Sequence, residues 1–473
     1  MILTDIARSF VDQAAAKRQQ LATDIHRPRY HFLPPSNWMN DPNGFIQWAG
    51  QYHLFYQYNP FGATWGNMHW GHAVSTDLIH WTDLPIAIAP TPGSYDEAGI
   101  FSGCMVNNNG VPTIFYTATA EQCTVQTQAI ATSADSLITW TKHPNNPVMR
   151  DVPVEAGQTR DFRDPFVWKE GDTWYMVVGS RIQDVGGVIF LYRSADLLHW
   201  EYLHPLLTGD IRQDGVIWEC PNFFKLGDEW VLIISMHDGR ATGTVIYVVG
   251  SYENQQFTPV YRGVLDHAVL YAPLSTLDDQ NRRVLFGWLR EDRTGAEMTR
   301  AGWSGAQSIP RVLTLDAQHR LHMVPVPELK AIRGHHQQLT AAGSLNVSAA
   351  AVDIEAQIAA DGNSGLSFVY SSVTGEQIGI RYNAAAQQLI IEQTVRGADS
   401  APITKVKQMP HSAAAMLNLR VLVDGSVVEI IADEVTSSTH RIYASAVGDC
   451  SVQLTGSGAV DVWEMPSIWQ LSQ

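Results

Sequence analysis

A chain of 473 residues outgrows one ordinary hydrophobic core, so its length implies two domains or one large repeat architecture. The 47 acidic against 31 basic side chains leave a net charge of −16, which argues against nucleic acid or an acidic membrane surface as partner and favours a neutral substrate. No apolar run approaches the length of a bilayer, and the 15 Trp, 16 Tyr and 15 Phe favour β structure while offering flat faces to sugar rings.

The N-terminal extension, residues 1–26, reads as a helix from Met1 to about Thr23. Ile2, Ile6, Phe10 and Val11 share one face, with Asp5, Arg8, Asp12, Lys17 and Arg18 around the rest. Its acidic residues and missing apolar stretch argue against a signal peptide. Cys104, Cys123, Cys220 and Cys450 are too few and scattered for a disulfide framework. Both features point to the cytoplasm. No CxxC or His-rich spacing appears, so neither a metal nor another cofactor is expected.

Next comes Trp38-Met39-Asn40-Asp41-Pro42-Asn43-Gly44. Alone it reads equally well as a β-turn, with Pro presetting φ, or as a carboxylate fixed beside an amide and an indole for sugar chemistry. Recurrence favours the second reading: Arg163-Asp164-Pro165 and Trp218-Glu219-Cys220-Pro221 repeat a carboxylate near proline in aromatic, strand-like surroundings.

A second phrase recurs at about 60 residues: Ser75-Thr76-Asp77-Leu78-Ile79-His80-Trp81, Ser133 to Trp140, and Ser194-Ala195-Asp196-Leu197-Leu198-His199-Trp200. A weaker fourth copy runs from Gly250 to Phe257, and a fifth unit ends near Ile309-Pro310-Arg311. Short apolar runs between copies, such as Trp174 to Gly179, suit several strands per unit, which predicts a five-bladed β-propeller over residues 27–323. The Ser-x-Asp then acts as a turn cap and the Trp as a packing anchor. Asp41, Asp164 and Glu219 each open a unit, where Phe101-Ser102-Gly103 and Tyr271-Ala272-Pro273 are the counterparts. The first strand of a blade is an edge strand facing the central channel, so proline is tolerated there and three acids converge in one pocket. Like charges that close drive their pKa values apart.

Split carboxylate pKa values are what glycoside hydrolysis requires. Glu219 suits the acid/base, its pKa raised by flanking Trp218 and Cys220. Asp41 suits the nucleophile, kept ionised by Asn40, the Asn43 amide and the turn's N–H groups. Asp164, its charge favoured by Arg163, suits holding ring hydroxyls and stabilising oxocarbenium-like charge.

From about Tyr30 to Ile309 the chain resembles glycoside hydrolase family 32, the invertase, levanase and inulinase family of retaining β-fructofuranosidases. The three carboxylate motifs carry the resemblance, with Phe55-Tyr56-Gln57-Tyr58-Asn59-Pro60, Trp65-Gly66, Phe101-Ser102-Gly103, Leu270-Tyr271-Ala272-Pro273, Phe286-Gly287-Trp288 and Gly302-Trp303-Ser304-Gly305, in family order. It implies Asp41 as nucleophile, Glu219 as acid/base and Asp164 as transition-state stabiliser. It further implies fructosyl contacts from Asn40, Gln57, Trp65, Phe101, Ser102, Arg163 and Trp288. Internal hydrogen bonds for Gln57 and Ser102, and packing for Trp65 and Trp288, are the competing roles.

Beyond Val324 the composition shifts to Ala and Ser, and alternating runs such as Gly365 to Tyr370 and Gln377 to Tyr382 predict a β-sandwich over residues 330–473. Leu419 to Ile430 resembles the family's C-terminal sandwich, while Ile431-Ala432-Asp433-Glu434 departs from its usual ending. The proline-containing linker Val324 to Leu329 is short, which implies docked domains. The whole reads as an exo-acting, retaining hydrolase of sucrose and short fructo-oligosaccharides. Alternatives within the family are a fructan exohydrolase on levan or inulin, a sucrose 6-phosphate hydrolase or a fructosyltransferase; the remotest is a non-catalytic lectin. The partner is a small sugar, not nucleic acid or membrane. No motif speaks to oligomeric state.

Overall fold

Short strands, many of them buried along most of their length, build two groups of antiparallel sheets in the computed structural model, which describes residues 5–396 and 401–469, with no side chains described for 5–7. The helix spans Asp5–Gln20. Met1 to Thr4 and the side chain of Ile6 lie outside the described residues. Arg18, expected on the polar side, is buried instead: its guanidinium holds both oxygens of Asp83 at 2.9–3.0 Å and lies 3.6 Å above the ring of Trp469. This ion pair fastens the helix to the first sheet.

Five sheets follow in chain order, over residues 37–88, 99–142, 162–208, 217–266 and 270–325. Within each, successive strands pair antiparallel. Their first strands, Asn37–Trp48, Gly99–Asn108, Phe162–Glu170, Ile217–Leu226 and Leu270–Leu277, pack against one another in sequence, and the last packs against the first. The start of Asn37–Trp48 also pairs parallel with Trp303–Ser304, tying the end of this region to its beginning.

The repeated phrase closes the first three sheets, and it acts as the expected turn and anchor. Asp77 accepts the backbone N–H of Ile79 and His80, and Asp196 those of Leu198 and His199. Trp81, Trp140 and Trp200 each donate the indole N–H to the carbonyl three residues back, at 3.0–3.2 Å. Leu78, Leu137 and Leu197 thereby take φ of 67°, 70° and 69°. A left-handed leucine costs roughly 1–2 kcal/mol, which these bonds offset.

The C-terminal region is a sandwich of two six-stranded antiparallel sheets. Ile354, Val421 and Ile430 from one sheet meet Phe368, Ile380 and Ile391 from the other in its core. The linker forms a short 3-10 helix, Pro327–Ile332, with Leu329 buried. A buried polar cluster docks the two regions: Asp424 accepts the N–H of Arg29, Tyr30 and His31 at 2.6–2.8 Å, His31 bridges Asp424 and Glu429 at 2.8 and 3.0 Å, and Arg311 pairs with Glu429. In the departing segment, Asp433 is taken up by His411 and Asn418, and Glu434 by His322. Among the described residues no helix is long and apolar enough to cross a membrane.

Candidate active site

All five first strands break register at the same height: between Met39 and Pro42, between Phe101 and Gly103, opposite Gly179 near Asp164, between Glu219 and Asn222, and between Tyr271 and Leu274. A bulge frees a strand from its partner and re-aims a side chain. Asp164, Cys220 and Ala272 take φ of 65°, 47° and 47° there, a strain of roughly 1–2 kcal/mol each. Gly103 is the matching residue of the second sheet, where a Cβ would stand 2.1 Å from the Phe115 carbonyl oxygen. The bulges gather Asp41, Asp164 and Glu219 around one cavity of about 500 Å³. Asn40, Gln57, Trp65, Phe101, Ser102, Arg163 and Trp288 line the same cavity, so all ten residues singled out from the sequence meet there.

Asp41 accepts a 2.6 Å bond from Ser102 Oγ on one oxygen and a 3.2 Å bond from the Asn40 amide on the other. Burial pushes its carboxyl up to about 6; the Ser102 bond opposes this, and the charge of Glu219 adds to it. Asn43 plays a different part from the expected one. Its buried amide, oriented to satisfy both ends, donates to Ser102 and accepts from Gln57, so it steadies the residues around Asp41. Gln57 also donates to the Ile100 carbonyl at 2.9 Å, and Asn40 accepts the Trp38 indole N–H at 2.7 Å.

Asp164 accepts the Cys220 N–H at 2.9 Å, and the Cys220 thiol lies 3.4 Å from it and 3.6 Å from Asp41. Burial pushes Asp164 up to about 7, with the Arg163 charge opposing and those of Glu219 and Asp41 adding. Arg163 thus favours the ionised form as expected, but it does so from a distance. Its Nε and one terminal nitrogen bind Glu219 at 3.0 and 2.8 Å, and the other binds Asp161 and Gln126 at 3.1 Å.

That pairing reverses one expectation. Burial raises the pKa of Glu219, but the charges of Arg163 and His237, with the bonds from Arg163 and a 2.5 Å bond from the Tyr271 hydroxyl, together outweigh it and leave the carboxyl below its ordinary value. Trp218 contributes nothing to the cavity wall: its ring is buried in the apolar core between the third and fourth sheets, donating to the Asp214 carbonyl at 2.9 Å.

Trp65 is 55% exposed at the cavity rim, edge-on to Phe101 at 6.1 Å. Trp288 stands edge-on to Trp38 and Tyr271, and its buried indole N–H has no protein partner, leaving a donor for a ligand oxygen. Sequence reasoning missed Tyr271, Asp161 and Gln126 as partners. Tyr271 stands in register with the acids and was findable, as was Asp161, two residues before Arg163; Gln126 acts across sheets. Among the described residues, no group of three His, Cys, Asp or Glu is arranged to hold a metal ion.

Carboxylates, hydroxyl and amide donors, and aromatic edges around one cavity define a sugar-processing site on a mostly β scaffold. Residues 31–325 match the glycosyl hydrolases family 32 N-terminal domain and residues 328–469 the family's C-terminal domain, so the chain belongs to glycosyl hydrolase family 32 and is a glycoside hydrolase. It is 32% identical over 492 residues to a sucrose-6-phosphate hydrolase of Escherichia coli, covering 97% of this chain and 98% of that one. A levanase of Bacillus subtilis is 33% identical, covering 92% of this chain and 68% of its own length. Among solved structures, a family 32 β-fructofuranosidase of Bombyx mori superposes with a TM-score of 0.82 at 27% identity, covering 98% of this chain and 99% of that one.

Proposed function

We propose that the chain is a retaining, exo-acting β-fructofuranosidase that releases terminal fructose from sucrose and short fructo-oligosaccharides. The observation that carries the reading is the convergence of three carboxylates held in unlike ways. Asp41 is touched by neutral donors alone, Glu219 is gripped by a guanidinium and a phenol, and Asp164 accepts a backbone N–H. In this reading Asp41 attacks the anomeric carbon while Glu219 gives its proton to the leaving oxygen; water, deprotonated by Glu219, then releases fructose with net retention. Asp164 holds ring hydroxyls and balances the developing positive charge, and the free Trp288 N–H, Gln57, Asn40 and Arg163 contact the fructosyl unit, with Trp65 and Phe101 at the rim. Glu219 must take up a proton to act as acid. A sugar hydroxyl that engages Arg163 would loosen the grip that holds it ionised.

The five sheets are read as five blades of a propeller whose first strands line the channel, with domain limits of 27–323 and 330–473 after an extension over 1–26. Two carboxylates and water suffice for the chemistry, so activity should survive a chelator. The four free thiols, Cys220 among them in the cavity, suit a reducing cytoplasm, and fractionation of host activity tests that.

Azide rescue decides the roles. Glu219→Ala should lose on the order of 10²–10⁴-fold for an ordinary leaving group, yet still react with an activated aryl fructoside, and azide should then give a fructosyl azide of retained configuration. Inverted azide from this variant, with retained azide from Asp41→Ala, would exchange the two roles.

A phosphorylated sucrose is a second substrate reading, favoured by Arg160 and Arg181 on the cavity wall. Arg181 is paired with Asp161 at 2.8 Å, whereas Arg160 is exposed. Comparison of kcat/KM on sucrose, sucrose 6-phosphate, 1-kestose and levan separates the readings. If phosphate is recognised, Arg160→Ala should lower the sucrose 6-phosphate value and leave the sucrose value within about twofold, as expected of a rim charge.

A further inference from the structure

The channel lined by the first strands has a second mouth. Beneath the carboxylates it narrows to a neck formed by Pro42, Gly103, Pro165, Pro221 and Pro273, then widens along the same strands into a cavity of about 400 Å³. Phe166 and Leu274 line both the neck and this second cavity, which places it at the far end from Asp41.

Six aromatic residues line it, Phe45, Trp168, Phe224 and Trp230 among them, and the Arg283 guanidinium is set into them. Arg283 lies with its guanidinium carbon 4.4 Å from the centre of the Phe224 ring, and its Nε is buried without a hydrogen-bond partner. No ion pair engages it among the described residues. Four of the five buried arginines of this acidic chain have a carboxylate, Arg18 with Asp83, Arg163 with Glu219, Arg311 with Glu429 and Arg441 with Glu291, and the fifth, Arg27, donates to the Pro34 and Pro35 carbonyls. A partly buried charge without counter-charge is costly, and burial pushes the Arg283 guanidinium down to about 10. Lys169 and Lys225 add positive charge at the same mouth. Glu170, the acid that lines it, turns one oxygen to the Trp168 indole N–H at 2.6 Å. Its lining offers a neutral sugar few hydroxyl partners, because the Ser275 hydroxyl is already spent on Asn222 at 2.6 Å and Thr276 supplies the other.

We propose that this mouth is a second ligand site, taking a small organic anion, a carboxylate or sulfonate on a flat apolar body, whose charge pairs with Arg283 and whose body packs on the aromatic wall. An apolar cavity with one fixed polar group is how such ligands are held, and a guanidinium can pair two N–H groups with two oxygens of a planar carboxylate or a tetrahedral sulfonate. The site is separated from the sugar cavity by the proline neck and does not depend on which fructoside is cleaved.

The test uses the full-length protein and two fluorescent probes of one shape, the sulfonate 8-anilinonaphthalene-1-sulfonate and its uncharged counterpart N-phenyl-1-naphthylamine. The sulfonate should bind one per chain and not be displaced by fructose or sucrose. Arg283→Gln should weaken it by at least roughly tenfold, as loss of a charge-assisted pair does, while the uncharged probe changes less than about twofold and sucrose hydrolysis is unchanged. Ile46→Trp, which fills the cavity and leaves Arg283 in place, should weaken both probes. Equal sulfonate affinity in the protein and Arg283→Gln, displacement by fructose, or undiminished binding to Ile46→Trp would each overturn the proposal.

Discussion

Ser102 donates the bond that most sustains the acidity of Asp41. Burial pushes that carboxyl up to about 6, and the 2.6 Å bond from Ser102 is the largest influence keeping it from rising further. A nucleophile must be ionised, so kcat/KM should fall as pH drops through about 6. Ser102→Ala removes an influence that lowers the pKa, so the acid limb should move upward, by on the order of one pH unit or about 1.4 kcal/mol. Activity of the variant should therefore be hurt more at pH 6 than at pH 8; a limb that stays in place would show that Ser102 does not tune Asp41. At this scale the sequence was legible where function rests on residue type and position. The acids stand at similar offsets from a repeated phrase, and their convergence followed. The partners were less legible. Arg163 adjoins Asp164 in sequence but binds Glu219, 56 residues away, and so the acid expected to be raised is lowered.

The bulged first strand is the element that delivers function, and Gly103 shows how little slack it has. A methyl group there meets the Phe115 carbonyl oxygen at 2.1 Å, which is backbone of the paired strand and cannot swing aside. Gly103→Ala should force the two strands apart, costing roughly 1–3 kcal/mol of stability and displacing the adjacent Ser102. Its kcat should fall more than its KM rises, with a lower thermal midpoint. Unchanged kcat with lowered stability would mean that the bulge is structural and does not position Ser102. The prolines that mark four of these strands were readable as edge-strand residues, and the structure puts them on that edge. The left-handed φ of Asp164, Cys220 and Ala272 was not readable, since those residue types carry no glycine signature. Nor was the parallel pairing of Trp303–Ser304 with Asn37 and Trp38, which is two residues long and joins segments far apart.

Across the whole molecule, alternation of apolar residues after Val324 was enough to read the sandwich, but not how it docks. The docking cluster joins His31 to carboxylates 393 and 398 residues away, and no local pattern encodes such a pairing. It has a consequence for stability. Burial alone would lower the pKa of His31, but hydrogen bonds and charge from Asp424 and Glu429 outweigh it and raise the pKa to about 8, above the ordinary 6.5. A group whose folded pKa is raised stabilises the fold fully below its unfolded pKa and loses that contribution as pH rises through the folded value. The window here is therefore pH 6.5 to about 8, and a shift of that size in a fully buried imidazole corresponds to about 2 kcal/mol. Glu429 acts in the opposite sense: its carboxyl is held at about 2, since the charge of Arg311 and the His31 bond outweigh burial, so its contribution is lost only as pH falls from the ordinary carboxylate range through 2. Denaturant midpoints measured between pH 6 and 9 should decline through this window in the intact protein. In His31→Gln, which keeps a hydrogen-bonding side chain without the charge, the midpoint should start lower at pH 6 and lose the part of the decline that His31 supplies. Parallel pH profiles for the two proteins would show that His31 is not charged in the docked state, and that the sandwich is held without it by bonds such as Arg311 to Glu429, Arg441 to Glu291 and the backbone N–H groups on Asp424.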